Sequence, residues 1–351
     1  MRSQQDSAGG LRHLVTLEGL ARDTLTNLLD RAESYRRLPG QPAYEGRELA
    51  GITLANLFFE PSTRTRASFD LASRRLGAHV LNLDVHSSSR VKGETMLDTI
   101  YTLEAMNTDV FVIRDSEAGM PEFLIDHVAP HVSVISAGEA HLSHPTQGLL
   151  DMLTIRSHKR RFAGLKVAIV GDVKHSRVAR SAATALATLG TTDVRLVAPE
   201  ALLPEEVEFR GAQRFTRIED GIAGADVIMM LRIQKERMAA AASLDDAAYF
   251  QEFGLTQKRV KLASPSVLVM HPGPMNRGVE IASDVADGPR SVIREQVNNG
   301  VAVRMAVLAS IAVTLTRQPA GLARSRLRAR HFEGRAAARP ARPTGRLTAP
   351  R

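Results

Sequence analysis

The stretch Phe58-Phe59-Glu60-Pro61-Ser62-Thr63-Arg64-Thr65-Arg66 joins two segments of different pattern and decides the fold around it. The apolar run at 52–59 is typical of a buried strand, because it is short, bulky and ended by a proline. The run that starts at Thr63 places Ala67, Leu71 and Leu76 at roughly helical spacing. The sequence therefore predicts a strand, a tight turn and a helix, in that order.

The predicted turn carries four polar residues in a row, Ser62, Thr63, Arg64 and Thr65. The first N–H groups of a helix have no partner within the helix, and the helix dipole adds positive potential there. A phosphate at this position would gain backbone donors, three hydroxyl groups and a planar guanidinium. The alternative is a plain N-cap, for which Ser and Thr are common choices. A cap needs only one hydroxyl, so the run favours an anion site.

Length and composition indicate an ordinary α/β protein. The 351 residues suffice for two domains with separate cores, and 44% of them are hydrophobic. The absence of cysteine excludes disulfides and cysteine-ligated zinc within the chain. No secretory signal is visible, and the longest apolar stretch, 301–315, contains Arg304 and is too short for a bilayer span. We therefore expect a cytoplasmic protein that does not contact membranes.

The positive charge of the chain is concentrated at its C-terminal end. Residues 317–351 contain ten arginines and one glutamate, a net charge of +9. Subtracting this from the +8 of the whole chain leaves −1 for residues 1–316. The tail has few large apolar residues, so we expect it to be disordered. It lacks interleaved aromatic residues apart from Phe332, which argues against nucleic acid as a partner.

The order of apolar and amphipathic segments predicts the fold class. Predicted strands occupy 52–59, 79–83, 109–113 and 132–136, with helices at 63–76, 95–106 and 120–128 between them. A second series has strands at 165–170, 194–198, 227–231 and 267–270, with helices at 177–189 and 218–223. This alternation is typical of two doubly wound parallel-sheet domains. Helices at 145–158 and 297–315 would join or complete them.

Polar side chains follow many of the predicted strands: Ser62 to Thr65, Arg114, His144, Gln147, Arg177, Arg232, Gln234 and His271. Open α/β sheets bind ligands beyond the carboxyl ends of their strands, so this set predicts a cleft for a small polyanion. Any one arginine alone would more often be a solvated surface residue. The strand at 166–170 lacks a following Gly-x-Gly-x-x-Gly motif, so no dinucleotide cofactor is expected. No pattern typical of a hydrolase or a metal site is evident.

The motif Phe-x-Glu-x-Ser-Thr-Arg-Thr resembles the carbamoyl-phosphate signature of the aspartate/ornithine carbamoyltransferase family. With the residues after the other strands, the resemblance covers roughly residues 11–316. It implies that the phosphate of carbamoyl phosphate binds to Ser62, Thr63, Arg64 and Thr65. It implies that the carbamoyl group binds to Arg114, His144, Gln147, Gly273 and Pro274. No cofactor is implied.

A second motif, Ser-x-x-x-Lys-Gly-Glu-Thr, begins at Ser88 and includes Lys92. In the family, this loop reaches the active site of a neighbouring subunit. The resemblance therefore implies a homotrimer in which Ser88 and Lys92 complete the neighbour's site. Ser87 or Ser89 could take the place of Ser88, and an additional regulatory or dihydroorotase-like chain is left open.

The segment His271-Pro272-Gly273-Pro274 separates the two branches of the family. The ornithine branch has a His-Cys-Leu-Pro type of sequence there, and this chain has no cysteine. The positions that bind the two carboxylates of aspartate are matched by Arg177, Arg232 and Gln234, together with Lys92. The resemblance thus implies transfer of the carbamoyl group to L-aspartate, the committed step of de novo pyrimidine synthesis. It assigns catalytic roles to Arg64, Thr65, Lys92, Arg114 and His144.

Two alternatives stay open: a carbamoyltransferase for another amino acid such as ornithine, and a non-catalytic scaffold. The resemblance also implies a division into domains. Residues 1–145, completed by a C-terminal helix at about 294–316, would bind carbamoyl phosphate. Residues 146–293 would bind aspartate, and 317–351 would form the basic tail.

Overall fold

The computed structural model describes residues 4–83, 95–209, 211–234 and 245–316. Its strands are β1 (Thr53–Phe58), β2 (His79–Leu83), β3 (Val110–Asp115), β4 (Ser133–Glu139), β5 (Lys166–Val170), β6 (Asp193–Val197), β7 (Gln213–Phe215), β8 (Val227–Met230) and β9 (Leu268–Met270). Its α-helices are α1 (Arg22–Tyr35), α2 (Thr63–Arg75), α3 (Met96–Ala105), α4 (Met120–His127), α5 (Pro145–Lys159), α6 (Arg177–Leu189), α7 (Ile218–Ile222), α8 (Asp246–Phe253), α9 (Gln257–Val260), α10 (Ser283–Ala286) and α11 (Ile293–Thr316). Two short 3₁₀ turns lie at Glu200–Leu202 and Glu206–Glu208.

The first sheet is parallel, with the strand order β2-β1-β3-β4. Alternate residues of the central strand β3 enter two different apolar cores, because successive side chains of a strand point to opposite faces. Val110 and Val112 pack into the core that also contains Phe69 of α2. Phe111 and Ile113 pack into a second core with residues of α3 and α4. Helices therefore cover both faces of this sheet, as a parallel sheet requires.

The second sheet is also parallel, with the order β7-β6-β5-β8-β9. Its central strand β5 lies between β6 and β8, and every residue from Val167 to Val170 is fully buried. The chain begins at the centre of this sheet, moves to one edge and then returns to the other side. The carboxyl ends of β5 and β8 consequently lie at the same edge, next to the start of the loops that follow them.

Two helices connect the parts that carry the sheets. Helix α5 contacts β4 of the first sheet, α6 of the second part, and α1. Helix α11 packs against α1, α2 and α5, so the last helix of the described chain covers its first elements. By length and composition α11 could cross a membrane, but 72% of that stretch is buried inside the protein. It is a core helix.

The predicted α/β class with two parallel sheets is confirmed. β2 and α6 have the predicted bounds, and the other predicted strands and helices are present with ends shifted by a few residues. The sequence interpretation did not include α1, β7, α8, α9 or α10. Helix α1 had a detectable signal, because Leu25, Leu28, Leu29 and Ala32 lie one helical turn apart and are buried. The predicted domain boundaries stay a prediction.

Candidate active site

A cleft of about 620 Å³ lies between the carboxyl ends of the two sheets. Side chains at or after the carboxyl ends of β1, β3, β4, β5, β8 and β9 line it, together with residues of α11. The parallel arrangement explains this convergence, since all strands of a sheet end at the same edge. Around the cleft, the described residues include five arginines, Arg64, Arg114, Arg177, Arg232 and Arg304, and one carboxylate, that of Glu60. The cleft is therefore suited to anions.

The Ser62–Thr65 loop opens helix α2. Ser62 occupies the N-cap position with extended backbone, but among the described residues its side chain caps no N–H group of the helix. Thr63, Arg64 and Thr65 form the first turn, where the N–H groups have no partner within the helix. The plain N-cap interpretation thus does not describe this serine. The loop keeps its donors available to a ligand in the cleft.

Glu60 holds two of the cleft arginines. Its Oε1 accepts from Nη2 of Arg114 at 2.6 Å and from Nη2 of Arg177 at 2.6 Å. Nη1 of Arg177 donates to Oε2 of the same carboxylate at 2.7 Å, so Arg177 and Glu60 form a bidentate ion pair. Arg114 is the next-to-last residue of β3, the neighbour of β1, and Arg177 is the first residue of α6. The contact therefore joins the two sheet-bearing halves across the cleft.

Gly138 of β4 provides the space for these two arginines. It has φ of +119°, a conformation that side chains rarely adopt. A Cβ atom at this position would lie 2.8 Å from Nη1 of Arg114 and 3.2 Å from Nε and Cζ of Arg177. Only glycine lets both guanidinium groups lie against the end of the strand.

His144 is the residue before α5, and only 4% of its surface is exposed. Its backbone N–H donates to Oγ of Ser181 at 2.9 Å, which fixes the start of the helix. Burial holds the pKa of His144 well below its usual value of 6.5, and the positive charges of Arg114, Arg177 and Arg304 lower it further. The imidazole is therefore neutral at pH 7. It can form a hydrogen bond to a substrate oxygen without adding charge to the site.

The wall formed by the second sheet carries Arg232 and Gln234 directly after β8. Asp172, which follows β5, accepts the backbone N–H of Gln234 through Oδ2 at 3.2 Å. The side-chain Nε2 of Gln234 donates to the carbonyl of His175 at 3.0 Å. These bonds tie the loop after β8 to the loop after β5, so both loops present their side chains to the cleft as one surface.

The 271–274 loop closes the cleft at the end of β9. The buried His271 accepts from the N–H of Gly273 through Nδ1 at 2.8 Å and donates through Nε2 to Glu280 at 3.1 Å. Gly273 has φ of +64°, and a Cβ atom there would lie 2.8 Å from Nη1 of Arg64. The guanidinium of the Ser62–Thr65 loop therefore lies flat against this glycine. Both the positive φ and the close approach of Arg64 therefore favour glycine at position 273.

Beneath the cleft lies a buried polar cluster that the sequence interpretation missed. Arg304 of α11 is 4% exposed, lies 5.0 Å from the ring centre of Phe69, and donates to the carbonyl of Gly300 at 3.0 Å. Burial, with the charge of Arg114, lowers the pKa of Arg304 to about 9, whereas Asp151 opposes this shift. Burial raises the pKa of Asp151 to about 7, although hydrogen bonds from Gln296 and Gln147 favour the ionised form.

The structure brings together twelve of the fourteen site residues expected from the sequence. Ser62, Thr63, Arg64, Thr65, Arg114, His144, Gln147, Arg177, Arg232, Gln234, Gly273 and Pro274 all line the cleft. Ser88 and Lys92 lie outside the described residues, so their roles and the shared trimer site stay predictions. Glu60, Asp151, Gln296 and Arg304 were not assigned. The signal for Arg304 was its position as a lone cation within the apolar run 301–315.

Comparison with known proteins identifies the family. The model for the carbamoyl-phosphate-binding domain of aspartate/ornithine carbamoyltransferases matches residues 12–157, and the model for the Asp/Orn-binding domain matches residues 163–311. The chain belongs to the aspartate/ornithine carbamoyltransferase family.

Solved structures from both branches of this family are similar to the chain. Aspartate transcarbamoylase from Trypanosoma cruzi, in complex with N-(phosphonacetyl)-L-aspartic acid, is 32% identical with a TM-score of 0.78. That match covers 88% of this chain and 98% of the other. Ornithine carbamoyltransferase from Pyrococcus furiosus is 31% identical with a TM-score of 0.77, over 86% and 97% of the two chains. Overall similarity therefore does not separate the two substrates.

Proposed function

We propose that the protein transfers the carbamoyl group of carbamoyl phosphate to the amino group of L-aspartate, giving N-carbamoyl-L-aspartate and phosphate. The observation that carries the proposal is the charge of the cleft: five arginines and one carboxylate among its described lining residues. Carbamoyl phosphate and aspartate are both anions, so together they offset this charge. The T. cruzi aspartate transcarbamoylase, at 32% identity, has been solved in complex with both substrates.

The carboxylate of Glu60, the single one among the described lining residues, supports aspartate over ornithine. The side-chain ammonium of ornithine needs an acidic partner, whereas the second carboxylate of aspartate needs a cation. Glu60 is already bonded to both Arg114 and Arg177, so it is poorly suited to bind a substrate cation. Arg232 lies on the opposite wall, next to Gln234. This wall suits a carboxylate.

The proposed reaction needs positioning rather than covalent catalysis by the protein. The uncharged amine of aspartate attacks the carbonyl carbon, a C–N bond forms, and the bond from that carbon to the phosphate oxygen breaks. The leaving phosphate accepts the proton that the amine loses. Arg114, the neutral His144 and Thr65 would stabilise the negative oxygen that develops, and Arg64 would stabilise the leaving phosphate.

The second candidate is ornithine carbamoyl transfer, because an ornithine enzyme is 31% identical to this chain. A colorimetric assay for carbamoyl-amino acids with purified full-length protein separates the two. We expect product with carbamoyl phosphate and aspartate and none above background with ornithine. Product with ornithine but not with aspartate would reverse the assignment. Product with neither amino acid would support the non-catalytic alternative.

A further inference from the structure

A chain of buried hydrogen bonds runs beneath the cleft and connects α5, α11 and the 271–274 loop. Oδ1 of Asp151 accepts from Nε2 of Gln147 at 3.0 Å and from Nε2 of Gln296 at 2.8 Å. Oε1 of Gln296 accepts from the backbone N–H of His271 at 2.9 Å. Asp151 is fully buried and Gln296 is 2% exposed, so water does not compete for these bonds.

The direction of every bond in this chain is fixed by one backbone group. The N–H of His271 can only donate, so the carbonyl end of the Gln296 amide must face it. The NH₂ end of Gln296 then faces Asp151, whose Oδ1 acts as an acceptor. Gln147 must also present its NH₂ end to the same oxygen. Its carbonyl oxygen Oε1 is the end that remains for the cleft.

This arrangement does not depend on the ionisation of Asp151. Both neighbouring amides donate to Oδ1, so a proton on the carboxyl group belongs on Oδ2. That oxygen is buried and has no hydrogen-bond partner among the described residues. Asp151 therefore keeps Oδ1 as an acceptor on either side of its pKa of about 7. The charged group that faces it, Arg304, belongs to α11.

We propose that Asp151 and Gln296 are positioning residues that orient Gln147 as an acceptor for the NH₂ group of carbamoyl phosphate. They thereby let the site distinguish carbamoyl phosphate from acetyl phosphate, which has a methyl group in place of NH₂. The proposal rests on the proposed function for the identity of the substrate. A Gln147 amide released from Asp151 could turn its own NH₂ towards the ligand, where it would oppose another donor.

Binding measurements without an amino acid test the proposal. Affinities of the full-length protein for carbamoyl phosphate, acetyl phosphate and inorganic phosphate are compared by calorimetry at low temperature. We expect Asp151→Leu, which removes the acceptor, to lower the preference for carbamoyl over acetyl phosphate about 10–100-fold, with phosphate affinity changed less than about threefold. Gln296→Met, which breaks the chain of hydrogen bonds one step earlier, should also lower the preference for carbamoyl over acetyl phosphate.

Two variants serve as controls. Asp151→Asn keeps an acceptor oxygen facing both amides, so its preference should stay within about threefold of the unaltered protein. Thr154→Val removes another buried polar contact between the same helices, the bond from Nδ2 of Asn299 to Oγ1 of Thr154 at 2.9 Å. This contact has no connection to Gln147, so Thr154→Val should also leave the preference unchanged. Circular dichroism establishes that each variant is folded.

An unchanged preference in folded Asp151→Leu and Gln296→Met would overturn the proposal. So would an equal loss in Thr154→Val, or a parallel loss of phosphate affinity, because either would indicate general loosening. Unaltered protein that does not bind carbamoyl phosphate more tightly than acetyl phosphate would overturn it as well. Failure of the proposed function has a different signature, since the preference for carbamoyl phosphate would be present while no carbamoyl-aspartate forms.

Discussion

The Ser62–Thr65 loop and the opposite wall of the cleft differ in how far their side chains are bonded to the protein. Among the described residues, no hydrogen bond uses the side chain of Ser62, Thr63 or Arg64. On the opposite wall, Arg177 grips Glu60 with two bonds, and Gln234 donates to the carbonyl of His175. The loop is thus ready for a phosphate. The opposite wall must rearrange its existing contacts, or share them, when a second anion binds.

Arg64→Ala should produce the largest effect on turnover. It removes a charge-assisted contact to the leaving phosphate from a loop that has no other cation. The transition state should lose about 3–5 kcal/mol of stabilisation, so kcat/KM should fall roughly 10²–10⁴-fold. Steady-state kinetics with both substrates measure this loss. Near-normal activity in the folded variant would show that the loop is not the phosphate site.

The buried Asp151 beneath the cleft should make the stability of the protein depend on pH. The pKa of Asp151 is about 7 in the folded protein against 3.8 for an unperturbed Asp, so the folded state binds the extra proton between these values. Asp151 therefore costs stability as the pH rises from about 4 to about 7, by about 4 kcal/mol in total. Asp151→Asn removes this cost.

Urea unfolding of both proteins at pH 5 and pH 8 measures the difference. The advantage of Asp151→Asn over the unaltered protein should be larger at pH 8. An equal difference at both values would mean that Asp151 is ionised throughout this range.

Arg232→Ala tests the opposite wall. The variant removes the cation that would bind one carboxylate of aspartate, which should cost about 2 kcal/mol of binding free energy. The KM for aspartate should therefore rise roughly 30-fold, and the KM for carbamoyl phosphate should stay nearly constant. The two KM values, measured separately, are the readout. Equal weakening of both substrates would indicate a folding defect.

Glu60→Gln tests whether the carboxylate supports or competes with the second anion. The variant leaves Arg114 and Arg177 facing each other without a negative charge between them, so their positions should loosen. We expect kcat/KM for aspartate to fall about tenfold, or about 1.4 kcal/mol, with little change in inhibition by phosphate. A lower KM for aspartate would instead identify Glu60 as an internal competitor.

Truncation after Thr316 should have the smallest effect. The predicted site residues all precede this position, and residues 317–351 contain few large apolar side chains. We expect kcat and both KM values within about twofold of the full chain, measured in parallel preparations. Loss of activity in soluble truncated protein would give the tail a role in chemistry.

The sequence predicted the part of the site that strand direction determines. Arg114 lies at the carboxyl end of one parallel strand, and Arg177 and Arg232 come after two others, so their convergence needs only the fold class. The bond between Glu60 and Arg177 could not be predicted, because it depends on how closely the two sheets approach each other. The contact of Asp151 with Gln296 likewise depends on the relative rotation of α5 and α11. Strand β7 has three residues, none of them buried, and shows no hydrophobic pattern.

Helix α11 has a consequence for how the protein is made on the ribosome. It packs on α1 and α2, and it contributes Gln296 and Arg304 beside the cleft. During synthesis, more than two hundred residues are added after α2 before α11 is available to cover the apolar faces of α1 and α2. A chain that stops before Ile293 therefore carries the Ser62–Thr65 loop but leaves the apolar faces of α1 and α2 exposed. It also lacks Gln296 and Arg304 at the cleft. The cleft is therefore complete only after α11 has been synthesised.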